Sequence, residues 1–209
     1  MKTLKLIVVM FCLVGISGCG QVKEYIQIAR NDTISVQYLD ILNKYTREKT
    51  LYSEFETSIR IVATLKSSEF TDAYLSEYSR LYLLTSADKE QRRDILSDTS
   101  SDLREFLFYA YVPDRKFNDL SKADSAWRVL SVGVRGETLE PLDIREIDST
   151  PLVTRLFPYV KPYGKFYSVK FPKLLSSGKG DVAVEDAPEL VFTGVLGKIE
   201  LTWDAGEGR

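Results

Sequence analysis

No histidine occurs anywhere in the chain. Its absence removes Ser-His-Asp and Cys-His nucleophilic catalysis, histidine general acid–base work and the HExxH zinc motif. Cysteine is almost as scarce: Cys12 and Cys19 both lie in or beside an apolar N-terminal stretch. From Gly20 onward there is no thiol for a disulfide or a cysteine-built zinc site, so the core must hold the fold unaided. An excess of one charge is missing too. With 28 basic and 30 acidic residues the net charge is −2, which is no footprint for nucleic acid. Catalysis, if any, would rest on carboxylates, lysine, tyrosine or an oxygen-bound metal.

What is there begins with a leader. Lys2 and Lys5 give a positive start, and Leu6 to Ile16 is apolar apart from glycine. About a dozen residues are too few to span a bilayer, which needs roughly 20, so this is the build of a secretory signal, to be set aside from the fold. Small residues Ser17 and Gly18 then precede Cys19. Ile16-Ser17-Gly18-Cys19 resembles the lipobox of bacterial lipoprotein precursors, a resemblance confined to residues 1–20. It implies cleavage before Cys19, a diacylglycerol on the Cys19 thiol and an acylated new amino terminus. Two or three chains make a stable anchor where one gives only marginal binding. Gly20 stands where an aspartate commonly retains such proteins in the inner membrane, so the resemblance implies an outer-membrane address in a Gram-negative host. The leader removes two lysines and no acid, leaving a more acidic balance.

The expected organisation is a signal peptide over 1–18, a lipidated tether over 19–32 and one α+β domain over 33–209, strand-rich from about 101. Ile34, Tyr38, Ile41/Leu42 and Tyr45 recur at helical spacing, with Asp32 or Thr33 as cap. Leu51, Phe55, Ile59, Ile61, Ala63 and Leu65 then share one parity against polar neighbours. That alternation predicts one long strand over 51–66 with one wet face. Phe70, Tyr74, Tyr78, Leu81 and Tyr82 line a helix capped by Ser67 or Ser68, and 86–96 opens a more polar helix capped by Ser86. Residues 97–102 read as a break.

Strands dominate the remainder. The stretch 103–112 has apolar residues on both parities and predicts a strand covered on both sides. Residues 126–136 form another, stopped by Gly136. The stretch 138–148 is weaker, edged or split by Pro141. Residues 165–171, 189–195 and 197–203 complete the set, the last two as a hairpin. Helices and one long strand followed by a run of strands predict an α+β fold with an antiparallel, β-sandwich-like C-terminal region.

Several constellations could carry function. The stretch 154–173 holds Arg155, Lys161, Lys165, Lys170 and Lys173 without an acid, interleaved with Phe157, Tyr159, Tyr163, Phe166, Tyr167 and Phe171. Arg155, Lys161, Tyr163, Lys165, Lys170 and Lys173 are a candidate surface for an acidic partner, a glycan or headgroups. The alternative is a Pro-rich loop feeding a strand with its rings in the core and its lysines in water. Asp181, Glu185, Asp186 and Glu189 could hold calcium, but ligands from one loop are few and the plain reading is solvated. Tyr74, Tyr78 and Tyr82 could stack sugars, or simply pack a helix on a sheet. The 176–181 stretch SSGKGD lacks the upstream glycine and the Ser/Thr of a phosphate loop and reads as a turn. Asp143, Glu146 and Asp148 are too common a pattern to assign a glycosidase.

The expectation is therefore a non-catalytic, lipid-anchored envelope protein that shows an interaction surface to a protein partner. No catalytic, cofactor or metal residue is assigned, and Cys19 is the lipidation site. Two alternatives are a lipid- or glycan-binding lipoprotein and a carboxylate-based cell-wall hydrolase.

Overall fold

The computed structural model describes residues 34–53, 56–98, 103–133, 136–173 and 187–204. The leader, Cys19, the tether and the proposed caps Asp32 and Thr33 lie outside the described residues, as do Phe55, the end of the 97–102 break, the 176–181 turn and the acids at 181, 185 and 186. The chain divides into two units, Met1–Ser35 and Val36–Arg209.

The second unit is mixed α+β, with two antiparallel sheets. Helix α1 (Val36–Lys44) buries Tyr38 and Leu42, one turn apart. Strands β1 (Thr46–Ser53) and β2 (Glu56–Leu65) form an antiparallel pair with a bulge at Leu51/Tyr52. The expected single strand over 51–66 therefore falls on two antiparallel strands, and the apolar alternation in the sequence runs across both. The expected wet face of β2 is not wet near its end: Val62 and Thr64 are as buried as Ile61 and Ala63.

Helix α2 (Ser68–Tyr82) starts where Ser67 Oγ accepts from Phe70 N, and ends with Leu83 in the left-handed region at φ 51°. Helix α3 (Ser86–Asp98) is capped by Thr85, not by Ser86. Thr85 Oγ1 accepts from Asp88 N at 3.2 Å, while its own hydroxyl donates to the Asp88 carboxylate at 2.7 Å. One hydroxyl thus meets an orphan N–H and its acidic neighbour.

Strand β3 (Leu103–Tyr111) is third in the five-stranded sheet, whose order is β1-β2-β3, then β7 (Lys165–Pro172), then β6 (Asp143–Ile147). Strand β4 (Trp127–Val132) belongs to the four-stranded sheet, where it lies between β5 (Thr138–Leu139) and β8 (Glu189–Gly194), with β9 (Gly197–Thr202) beyond β8. Pro141 separates β5 (Thr138–Leu139) from β6 (Asp143–Ile147), and the two join different sheets. A short helix α4 (Pro151–Leu156) comes next, with Thr150 as cap and Pro151 in its first turn. The 154–173 stretch is thus part helix, part loop and part strand β7 (Lys165–Pro172). The expected hairpin is β8 (Glu189–Gly194) and β9 (Gly197–Thr202), with Gly194 opposite Gly197. Because β2 pairs with β3, the N-terminal strands are built into the same sheet as β7 and β6.

The two sheets meet through rings. Phe108 stands edge-on to Phe192, and Phe106 lies against Trp203, both at 5.0 Å between centroids. Ile59, Ile61, Ala63, Tyr167, Val169 and Phe171 share this buried layer. Full burial of such a side chain stabilises by about 1.5–3 kcal/mol. Edge contacts close one side: Arg47 Nε donates to Thr202 O, and Trp203 Nε1 to Tyr45 O at 2.7 Å. The opposite face of the five-stranded sheet is covered by helix and loop. Tyr159 Oη and Thr64 Oγ1 are 2.8 Å apart, and Phe157 packs on Phe166 at 5.1 Å. Tyr38 Oη donates to Leu156 O at 2.9 Å. Burial pushes the Tyr38 and Tyr159 phenols well above their ordinary values, so both stay neutral.

Candidate functional site

Two places on the body could engage something else. The first is a cleft under the helix-covered face. Antiparallel register sets its floor in rows: Thr64, Leu107 and Ser168 in one, Val62, Tyr109, Phe166 and Ile147 in the next. Phe70, Thr71 and Tyr74 project from α2, and Phe157 comes from the turn after α4. With Lys66, Leu107, Ile147 and Phe166 they enclose about 200 Å³ of empty, mainly apolar space. The rings brace one another, with Phe157 near Phe70 and Tyr74 at 6.2 Å and near Phe166 at 5.1 Å. Lys66 is the one charged residue in the lining, and its Nζ donates to Glu105 at 2.7 Å. The second Glu105 oxygen accepts from Ser168 Oγ, also at 2.7 Å. Side-chain exposures of 17% for Lys66 and 15% for Glu105 leave this pair in touch with water at the edge of an otherwise greasy space.

The second place is one end of the two sheets. Arg60 pairs with Tyr111 and Ala110 with Lys165, so the start of β2, the exit of β3 and the loop into β7 lie at the same end. Gly164 abuts the sheet so closely that a Cβ there would meet Ala110 O at 2.4 Å. Gly197, at φ 131°, brings the β8–β9 turn against Leu51. Four apolar side chains are exposed at this end: Tyr52 near the end of β1 (65% exposed), Tyr163 in the loop before β7 (73%), and Val195 (89%) and Leu196 (38%) in the β8–β9 turn. Lys161 is exposed in the same loop as Tyr163.

The structure divides the six residues of the predicted basic surface. Lys161, Tyr163 and Lys165 lie at the loop end, where Lys165 Nζ pairs with Glu146 at 2.8 Å. Lys170 is about 16 Å further along β7 at ~3.3 Å per residue, in register with Glu105 and Asp143. Lys173 comes just after the end of β7, half-buried, and Arg155 is exposed on α4. Phe157, Phe166, Tyr167 and Phe171 are core residues. The acids of β6 do not converge: strand alternation sends Asp143 and Glu146 to opposite faces, where Arg145 and Lys165 hold them. Tyr78 stacks on Tyr82 at 4.5 Å and meets Tyr74 tilted at 6.2 Å, Arg92 lies over Tyr78 at 4.7 Å, and Tyr74 also faces the cleft.

Among the described residues, no three His, Cys, Asp or Glu gather as a metal site, and no helix is long and apolar enough to cross a membrane. No protein-family model, curated protein or solved structure matches the chain. Sequence reading missed Tyr52, Val195 and Leu196 at the loop end, and Lys66, Leu107 and Ile147 in the cleft. The apolar pair between Gly194 and Gly197 was a usable signal, since turn residues are ordinarily polar.

Proposed function

We propose that the chain is a non-catalytic, lipid-anchored bacterial envelope protein, fixed through diacylglycerol on Cys19. In a Gram-negative host its place is the outer membrane. Its β-sandwich-like body presents the loop end, with Tyr163 and Lys161 at its centre, to a protein partner in an envelope complex. The observation that carries this reading is that Tyr52, Tyr163, Val195 and Leu196 are all exposed toward the same end of the sheets. Isolated exposed apolar residues are ordinary, whereas a group of them marks a contact surface, and tyrosine is enriched among the residues that dominate such contacts. The lipobox-like start and the lack of histidine support the address and the non-catalytic role.

The test is in-cell photocrosslinking of the full lipoprotein, with the photoreactive residue at Tyr163 or Val195 and, as control, at Asp88 on α3. One dominant partner captured from the loop end and absent from Asp88, and lost when Cys19→Ser removes the anchor, is the expected result. Equal capture from all three positions, or recovery of the lipoprotein alone, would overturn the assignment of this surface.

A second reading, ligand binding, is favoured by one observation: the ring-walled cleft keeps about 200 Å³ of mainly apolar space open.

A further inference from the structure

We infer that the cleft between α2, the turn after α4 and the floor of β3, β7 and β6 binds one alkyl chain of a neutral, single-chain amphiphile, such as a fatty alcohol or a monoacyl ester. Its oxygen head meets Lys66. This deepens the ligand-binding reading and rests on it.

Size limits the ligand to a single chain. A cavity of about 150 Å³ lined by apolar side chains stays dry and takes benzene, so the 200 Å³ here suits one ring or one short chain. Sites for larger organic ligands run to roughly 300–1,000 Å³, which leaves no room for two acyl chains or an oligosaccharide. The lining selects an apolar body. Phe70, Tyr74, Leu107, Ile147, Phe157 and Phe166 offer contact area and few hydrogen-bonding groups. The Thr71 hydroxyl is already given to Ser67 O at 2.8 Å. A sugar would lose its hydration there without replacement, whereas an alkyl chain loses only unfavourable contact with water.

The charges at the edge select the head group. Lys66 is neutralised by Glu105, and Glu105 is held on both oxygens, by Lys66 and by Ser168. A carboxylate head would approach a site with no net positive charge and would face Glu105. An ammonium carries three donors, and Glu105 takes one. A hydroxyl or ester carbonyl can accept from another without disturbing the pair. The braced rings also explain why the space does not close: α2 is fixed at its start by the Ser67 cap and by the backbone bond from Lys66 N to Glu105 O.

The test uses the full chain in lipid nanodiscs and a ten-carbon alkyl alcohol with a diazirine near its tail. After irradiation, adducts are mapped by peptide mass spectrometry, with decan-1-ol or decanoate as competitor. Adducts should concentrate on the peptides holding Phe70–Tyr74 and Phe157–Phe166. Decan-1-ol should compete about tenfold better than decanoate, the ratio that about 1.4 kcal/mol of charge discrimination gives. Leu107→Trp, which fills the space, should reduce these adducts about tenfold with cooperative unfolding retained; Ile147→Phe is the second filling variant. Adducts spread over the surface, adducts unmoved by filling, or decanoate competing as well as decan-1-ol would overturn the inference. The bilayer supplies two-chain lipid in excess, so protection of the cleft in nanodiscs but not in lipid-free protein would assign it to a membrane lipid and also overturn it. The broader ligand-binding reading falls separately, if native mass spectrometry finds no retained hydrophobic ligand anywhere on the chain.

Discussion

The two faces of the five-stranded sheet are built from the same alternating strands and end up unlike. On one face Phe106 and Phe108 meet Trp203 and Phe192 of the other sheet at 5.0 Å between centroids, and all four rings are buried. On the other, helix and loop supply the cover, and rings from α2 and the turn after α4 stand around a space with an ion pair at its edge. A sheet facing a sheet can interdigitate row by row. A helix laid over strands meets them at fewer positions, and the remainder is filled by long side chains or stays empty. One face is therefore committed to stability, and the other retains room for a ligand.

That contrast can be broken by mutation. The largest effect belongs to the sheet-to-sheet face: Phe108→Ala should destabilise by about 3–5 kcal/mol, read as a fall in the urea midpoint. A smaller effect is expected at the cleft edge. Glu105→Ala leaves Lys66 half-buried without its carboxylate and Ser168 without its acceptor, and should cost about 1–3 kcal/mol. Adding Lys66→Met should recover part of that loss, which a double-mutant cycle reads directly. Overpacking should separate the faces. Val169→Phe, in the filled layer, should cost about 1–3 kcal/mol, whereas Leu107→Phe, beside the open space, should stay within about 1 kcal/mol of the parent. Equal penalties at the two positions would mean that the faces are packed alike.

The smallest expected effect lies on the rim. Glu69 ties α2 to α1 through Lys44 and the Tyr45 hydroxyl, and these bonds, Lys44 first, hold its carboxyl below the usual value. A lowered folded value means the stabilisation is complete above the ordinary carboxylate range and is lost as pH falls through the folded value. Glu69→Gln should therefore unfold slightly more easily than the parent at neutral pH, with the difference vanishing in acid. Because the pair is exposed, the difference should also shrink in high salt.

Short apolar runs bounded by turn residues were enough to find β3, β7 and the β8–β9 hairpin, although β3 carries apolar residues on both parities. Period-two alternation misled at 51–66 because the sequence between Ser53 and Glu56 holds no Gly, Pro or Asn to mark the change from β1 to its antiparallel partner β2. Helix α4 announced itself through Thr150-Pro151, a cap and first-turn pair, but the basic and aromatic residues beyond drew the reading toward loop and strand. The cleft had no local signature at all. Its lining comes from β2's end, α2, β3, β6, the turn after α4 and β7, and only the antiparallel register brings Leu107, Ile147 and Phe166 side by side. At the loop end, Tyr163 stood out in sequence through its basic neighbours, whereas Tyr52 and Val195 join it only once the strands are paired.

The most direct measurement is the intact mass of the chain extracted from membranes, with Cys19→Ser beside it. A mature chain beginning at Cys19, heavier by a diacylglycerol and one acyl group, and the loss of that added mass and of membrane retention in the variant, is the result expected of a lipid-anchored envelope protein. An unmodified Cys19, or a variant of unchanged processing that stays on the membrane, would contradict it.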